Sequence, residues 1–142
     1  MRIINVFNTH RKRRARREPT RDVVRLVLSG EGCRTAAINV VFINTHNMRR
    51  LNGRYLGHWY DTDVLSFPLS DEDSPGIEGE VYVNLDQAWK QSVLYKEPPR
   101  AAIARLVIHG VLHLLGEDDQ TKRQKARMRN LENRYLQKSG HA

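Results

Sequence analysis

The chain has 142 residues, 39% hydrophobic and 28% charged, enough for one compact core and too short for two independent ones. Lys and Arg total 24 against 16 Asp and Glu, a formal net charge of +8 that points to an anionic partner without choosing between nucleic acid and membrane. The single cysteine, Cys33, excludes an intramolecular disulfide and a Cys-rich zinc module. No apolar stretch has the length of a membrane span, and the N-terminus lacks the pattern of a secretory signal. The expectation is one soluble, cytoplasmic domain over residues 1–142, with no membrane partner.

Ile3 to Asn8 reads as a short strand, followed by a basic run. Seven Lys or Arg lie between Arg11 and Arg21 beside one acid, Glu18, so a solvated loop or binding arm is expected there. Pro19 and Thr20 suit a helix start, with Val23, Val24, Leu26, Val27 and Leu28 as its apolar stripe and Gly30 as its end. Ala36 to Ile43 is β-branched and apolar along most of its length, which predicts a central strand covered on both faces. Thr45 is placed to cap a short helix through Met48 and Leu51. Gly53 and Gly57 then mark a loop that contains Arg54, Tyr55, His58, Trp59 and Tyr60.

Val64 to Phe67 is a short strand stopped by Pro68, and the acidic, Gly-containing stretch from Ser70 to Gly79 is a surface loop. Val81 to Val83 gives a further strand and Leu85 to Leu94 has helical spacing. Pro98 and Pro99 open the most apolar segment, Ala101 to Leu115, a helix apolar nearly all round and therefore buried. Gly116 suits a left-handed helix end, and a basic helix follows from Gln120 to Gln137. The sum is an α+β fold, a small mixed sheet of about four strands packed by about five helices.

The buried helix carries His109 and His113, four residues apart and so on one face about 6 Å apart along the axis, within reach of one ion. Gly116 follows three residues later and Asp119 three after that, so a chain reversal at the glycine can bring a carboxylate back to the rings. Three protein ligands with one open position describe a catalytic metal centre. Two core histidines with one hydrogen bond each are the plainer reading of the pair alone. The glycine, the third donor in register and the need to satisfy two imidazoles in an apolar helix favour the metal. Glu117 and Asp118 compete for the third place; Asp119 leads on spacing, with Asp118 as an outer support.

These residues resemble the signature of the YbeY-type endoribonucleases, also called rRNA maturation factors: His-Gly-x-Leu-His-Leu-x-Gly-Tyr-Asp-His. Here it reads His109-Gly110-Val111-Leu112-His113-Leu114-Leu115-Gly116-Glu117-Asp118-Asp119. Leu51-Asn52, Tyr55 and Thr62-Asp63-Val64-Leu65-Ser66-Phe67-Pro68 are similar to a second block of that family. Gly79-Glu80-Val81-Tyr82-Val83 resembles its following strand, and Met128 with Glu132 its closing helix. The resemblance runs in the family's order from about residue 40 to 132.

What it implies is a zinc-dependent endoribonuclease specific for single strands, acting in small-subunit rRNA 3′-end maturation and ribosome quality control. His109, His113 and Asp119 would be both ligands and catalytic residues, holding one Zn²⁺ or another divalent metal. The implied partners are rRNA of the small ribosomal subunit and a ribosome-assembly GTPase or ribosomal proteins. Two departures stand out. Asp119 replaces the family's third histidine, adding a negative charge, and Leu56 stands where the family tends to place an Arg after the aromatic. Arg54 is the nearest substitute for that Arg in substrate binding, with His58 and Ser66 as further candidates; His58 reads first as a loop-packing side chain.

A metallopeptidase of related spacing would place Glu directly after the first His as its general base, and Gly110 stands there instead. That glycine suits space beside a metal or close helix packing equally. The other reading kept open is a non-catalytic RNA-binding ribosome assembly factor, whose structural metal would be closed by Asp118 and Asp119 together. Seven more Lys or Arg lie between Gln120 and Lys138, so the basic charge is concentrated in two segments, and Tyr55, Trp59 and Tyr60 offer surfaces on which unpaired bases could stack.

Overall fold

The computed structural model describes residues 1–71 and 73–141. Nine elements follow in chain order: β1 (Arg2–Asn8), α1 (Arg17–Gly30), β2 (Ala36–Ile43), α2 (Thr45–Leu56), β3 (Val64–Pro68), β4 (Ile77–Asn84), α3 (Leu85–Leu94), α4 (Pro99–Leu114) and α5 (Lys122–Lys138). The four strands form one mixed sheet in the order β1-β2-β4-β3, parallel between β1, β2 and β4 and antiparallel between β4 and β3. The α+β expectation, with its sheet and five helices, is borne out.

The apolar α4 forms the centre of the fold. It packs against α1, α3 and α5 as well as β3 and β4, and its Ile108, Val111 and Leu112 are fully buried. Each such side chain contributes about 1.5–3 kcal/mol relative to an exposed one. Pro99 occupies the first turn, where a missing N–H costs nothing. Gly116, at φ 98°, ends the helix: its N–H bonds the His113 carbonyl and the Glu117 N–H bonds that of Leu112, the paired bonds of a Schellman turn.

Gly110 faces the sheet. A Cβ at this position would overlap Val81 Cγ1 and lie 3.1 Å from Val64 Cγ2, so close helix-to-sheet packing accounts for the residue. Ser66 Oγ on β3 donates to the Gly110 carbonyl at 2.8 Å, tying the edge strand to the helix between its two histidines.

Several local expectations are corrected. Helix α2 runs through Gly53 to Leu56 and ends at Gly57 in the left-handed conformation, which places Arg54 and Tyr55 on the helix. Its cap is Asn44, whose side chain accepts from the Asn47 N–H at 2.8 Å, while Thr45 lies inside the helix with its hydroxyl engaged by the Asn84 side chain at 3.2–3.3 Å and its N–H by Asp86 Oδ2 at 3.0 Å. Strand β2 is interior, but it alternates buried and half-buried residues through Val41, so only one face is closed over that length. Strand β4 begins at Ile77, earlier than Val81, which shortens the expected loop; Glu72 of that loop lies outside the described residues.

Helix α1 starts at Arg17, within the basic run. The preceding segment is pinned. Asn8 and Ala15 exchange two 2.9 Å bonds, and buried His10 accepts the Lys12 and Arg13 N–H groups at Nδ1 while its Nε2 lies 2.8 Å from Asp86 Oδ1. The run is therefore a loop fastened to α3 that passes into the first turn of α1, with Ala15 of the loop and Thr20 of the helix buried and most of its cations outward.

Candidate metal centre

His109 and His113 project from one face of α4, their ring centroids 4.6 Å apart. The reversal at Gly116 returns the chain so that Asp119 faces both rings. Its Oδ2 lies 3.5 Å from His109 Nε2 and its Oδ1 lies 3.5 Å from His113 Nε2. One donor atom from each residue falls within 4.8 Å of the others. Tetrahedral bonds of 2.0–2.2 Å separate their donors by about 3.3 Å, so this spacing suits one small cation with nitrogen and oxygen ligands.

The two competing acids are engaged elsewhere. Glu117 pairs with Arg127 at 2.9 Å, and Asp118 Oδ1 accepts the Asp119 N–H at 2.8 Å, which orients the loop without filling a ligand position. Among the described residues the potential metal-holding group has three members.

Behind the rings lies Glu132 of α5, buried, with Oε2 2.7 Å from His109 Nδ1. A carboxylate only accepts, so Nδ1 carries the proton and the Nε2 lone pair is turned toward Asp119. Arg105 holds the other Glu132 oxygen at 3.3 Å and Arg129 lies 3.9 Å from it. Burial of His109 works against its charged form. The hydrogen bond and charge of Glu132, with Asp119 and Asp63 adding to them, outweigh that and raise its pKa above the ordinary imidazole value.

A cavity of about 340 Å³ opens beside His109, lined also by Asp63, Gln91, Tyr95, Arg105 and Arg129. Asp63 is fastened there by Gln91 Nε2 at 2.9 Å and by its own carbonyl, which accepts from the Asn84 N–H at 2.9 Å. Of the side chains singled out from sequence, His109, His113 and Asp119 meet, and Ser66 sits against the helix between the two rings. Arg54 lines a separate hollow with Arg50 and Trp59, and His58 packs on Tyr60 at 5.2 Å between centroids. Leu56 is the exposed last residue of α2.

Sequence reasoning passed over Glu132, Asp63, Arg105 and Arg129 as parts of the site. Two signals pointed to Glu132, its place in the family-like closing helix and its being the lone acid among basic residues there, but neither gave it a role beside His109.

Fold and site together define an α+β protein in which two histidines of the central helix and an aspartate just past its end form a group that could hold a metal ion. A family model described as Endoribonuclease YbeY matches residues 5–140. An Endoribonuclease YbeY from Chlorobium phaeovibrioides is 44% identical over 113 residues, covering 80% of this chain and 75% of the relative. One from Salinibacter ruber is 36% identical over 140 residues, covering 94% and 89%. The solution structure of TM1509 from Thermotoga maritima superposes with a TM-score of 0.63 at 22% identity, over 96% of this chain and 91% of that one, and shares the fold. The chain belongs to the Endoribonuclease YbeY family.

Proposed function

We propose that the protein is a zinc-dependent endoribonuclease that cuts single-stranded RNA, with rRNA of the small ribosomal subunit as its substrate and 3′-end maturation and ribosome quality control as its role. The observation that carries this reading is the placement of one Asp119 oxygen before each histidine Nε2, both at 3.5 Å. These atoms are too far apart for good hydrogen bonds and close enough to share an ion.

His109, His113 and Asp119 would hold the ion, and the three-membered set leaves a coordination place for water or a phosphate oxygen. A bound divalent ion supplies Lewis-acid polarisation of a phosphodiester or lowers the pKa of water. The chain's own groups prepare that chemistry. Glu132 keeps His109 in the tautomer that faces Asp119, and Asp118 holds the loop that carries the carboxylate. Arg105 and Arg129 place positive charge at the cavity where a scissile strand would enter. Gly110, packed on Val81, leaves no carboxylate at the position a peptidase base would occupy.

The net charge of +8 suits a polyanionic substrate. In this reading the protein acts on ribosomal particles in the cytoplasm beside a ribosome-assembly GTPase or ribosomal proteins; among the described residues no helix is long and apolar enough to cross a membrane. The test is cleavage of a labelled oligoribonucleotide, single-stranded and annealed, with and without chelator. Cutting confined to the single strand, abolished by chelator and restored by zinc is the expected result. Cleavage indifferent to chelator would remove the metal from the mechanism, and absence of cleavage would leave an RNA-binding assembly factor.

A further inference from the structure

Trp59 lies flat against helix α2. Gly57, at φ 71°, turns the chain back on the helix, and the His58 N–H bonds the Asn52 carbonyl at 3.3 Å. Asn52 Nδ2 then reaches the Tyr60 carbonyl at 3.2 Å, and Arg49 clasps Asp61 at 2.6 Å. The loop is thus held on both sides of Trp59. Its indole rests on Gly53, where any Cβ would overlap the ring. A mid-helix glycine costs about 1 kcal/mol relative to Ala, and here that cost secures a seat for an aromatic ring.

The other face of the indole is open: Trp59 remains 65% exposed and its neighbour Tyr55 63%. Arg50 and Arg54, four residues apart and so on one side of α2, border the same hollow of about 440 Å³ with Asn47 and Leu51. Both guanidinium groups are exposed, and among the described residues neither has a carboxylate partner, whereas Arg49 beside them is paired. An apolar protein surface seated here would strip water from two uncompensated cations. A single-stranded nucleic acid offers both complements, a π face for the indole and phosphates for the two arginines.

We propose that Trp59, preset on Gly53 and flanked by Arg50 and Arg54, is a docking platform on which one base of single-stranded RNA stacks while adjacent phosphates engage the arginines. This rests on the endoribonuclease reading and adds a substrate-holding surface to it. A chain of contacts links the platform to the metal centre. Tyr55 meets Phe67 edge-on at 5.9 Å, and Ser66 beside it bonds the Gly110 carbonyl between the two histidines.

The experiment uses the full chain and a fluorescein-labelled 2′-O-methyl hexanucleotide, which lacks the free hydroxyl, with binding read by anisotropy at several salt concentrations. Trp59→Leu, which still covers Gly53 but offers no π face, weakens binding about tenfold, and Trp59→Phe recovers most of it. Arg50→Gln with Arg54→Gln lowers the slope of log affinity against log salt by roughly 1.4, as for two lost phosphate contacts on a single strand. In a Trp89→Phe background, where Trp59 is the sole indole, RNA quenches the emission. Circular dichroism and zinc content stay at wild-type values throughout.

Wild-type affinity in Trp59→Leu, in a chain that still cleaves RNA, would overturn the platform and leave the endoribonuclease reading standing. A wild-type chain that neither binds nor cleaves RNA would overturn both.

Discussion

Glu132 Oε2 lies 2.7 Å from His109 Nδ1, joining α5 to α4 across twenty-three residues of sequence. The carboxylate is buried in a helix whose other charged side chains are all basic, and Arg105 shares it at 3.3 Å. This bond sets both the tautomer and the direction of the ring that faces Asp119. Loss of such an outer partner typically lowers metal affinity 10- to 100-fold. Glu132→Gln should therefore bind zinc about that much more weakly in competition with a chromophoric chelator while keeping its helical circular dichroism. Unchanged affinity would show that the ring needs no such support.

Gly110→Ala tests the other side of the helix. The added methyl meets Val81 Cγ1 and Val64 Cγ2 on the sheet, where neither β-branched side chain can swing clear without disturbing β3 and β4. Overpacking of this kind costs about 1–3 kcal/mol, which urea unfolding should register. A variant as stable as the parent would show that α4 can lift away from the sheet.

How much of this was legible in the sequence differs by residue. The paired imidazoles, the Gly116 reversal and Asp119 could be read because all three follow from local geometry, helical rise and a left-handed turn. The alternating and apolar runs revealed each strand and helix, though not the starts of α1 and β4. Glu132, Asp63, Arg105 and Arg129 could not be read in the same way, since their meeting depends on how α5 and the start of β3 dock on α4, and spacing says nothing of that. The end of α2 was misplaced because Gly53 looks like a breaker until Trp59 is seen to need the space. Burial of Ala15 and Thr20 was hidden by the cations around them; the Asn8 bonds hold Ala15 in place, and Thr20 sits in the first turns of α1 with its hydroxyl on the Arg16 carbonyl.

Asp86 contributes to the response to acid. Burial works to raise its pKa, but the bonds from the Thr45 N–H, His10 and Arg13 outweigh it and bring the carboxyl from 3.8 to about 2. The unfolded chain therefore takes up this proton first as pH falls, so the stabilisation is complete above about pH 4 and is lost on the way to pH 2. Asp86→Asn should lower stability at pH 7 by about 1.5–3 kcal/mol, the worth of hydrogen bonds to a charged group. Its urea midpoint should then change less than that of the parent between pH 4 and pH 2. Parallel pH profiles for the two proteins would assign the acid response to other carboxylates.

The most direct measurement is the metal content of the chain after zinc loading and dialysis, compared between wild type and His113→Ala. One zinc per wild-type chain, lost from the variant together with RNA cleavage, is the predicted result. A His113→Ala protein that retains zinc at wild-type affinity would contradict the centre formed by His109, His113 and Asp119.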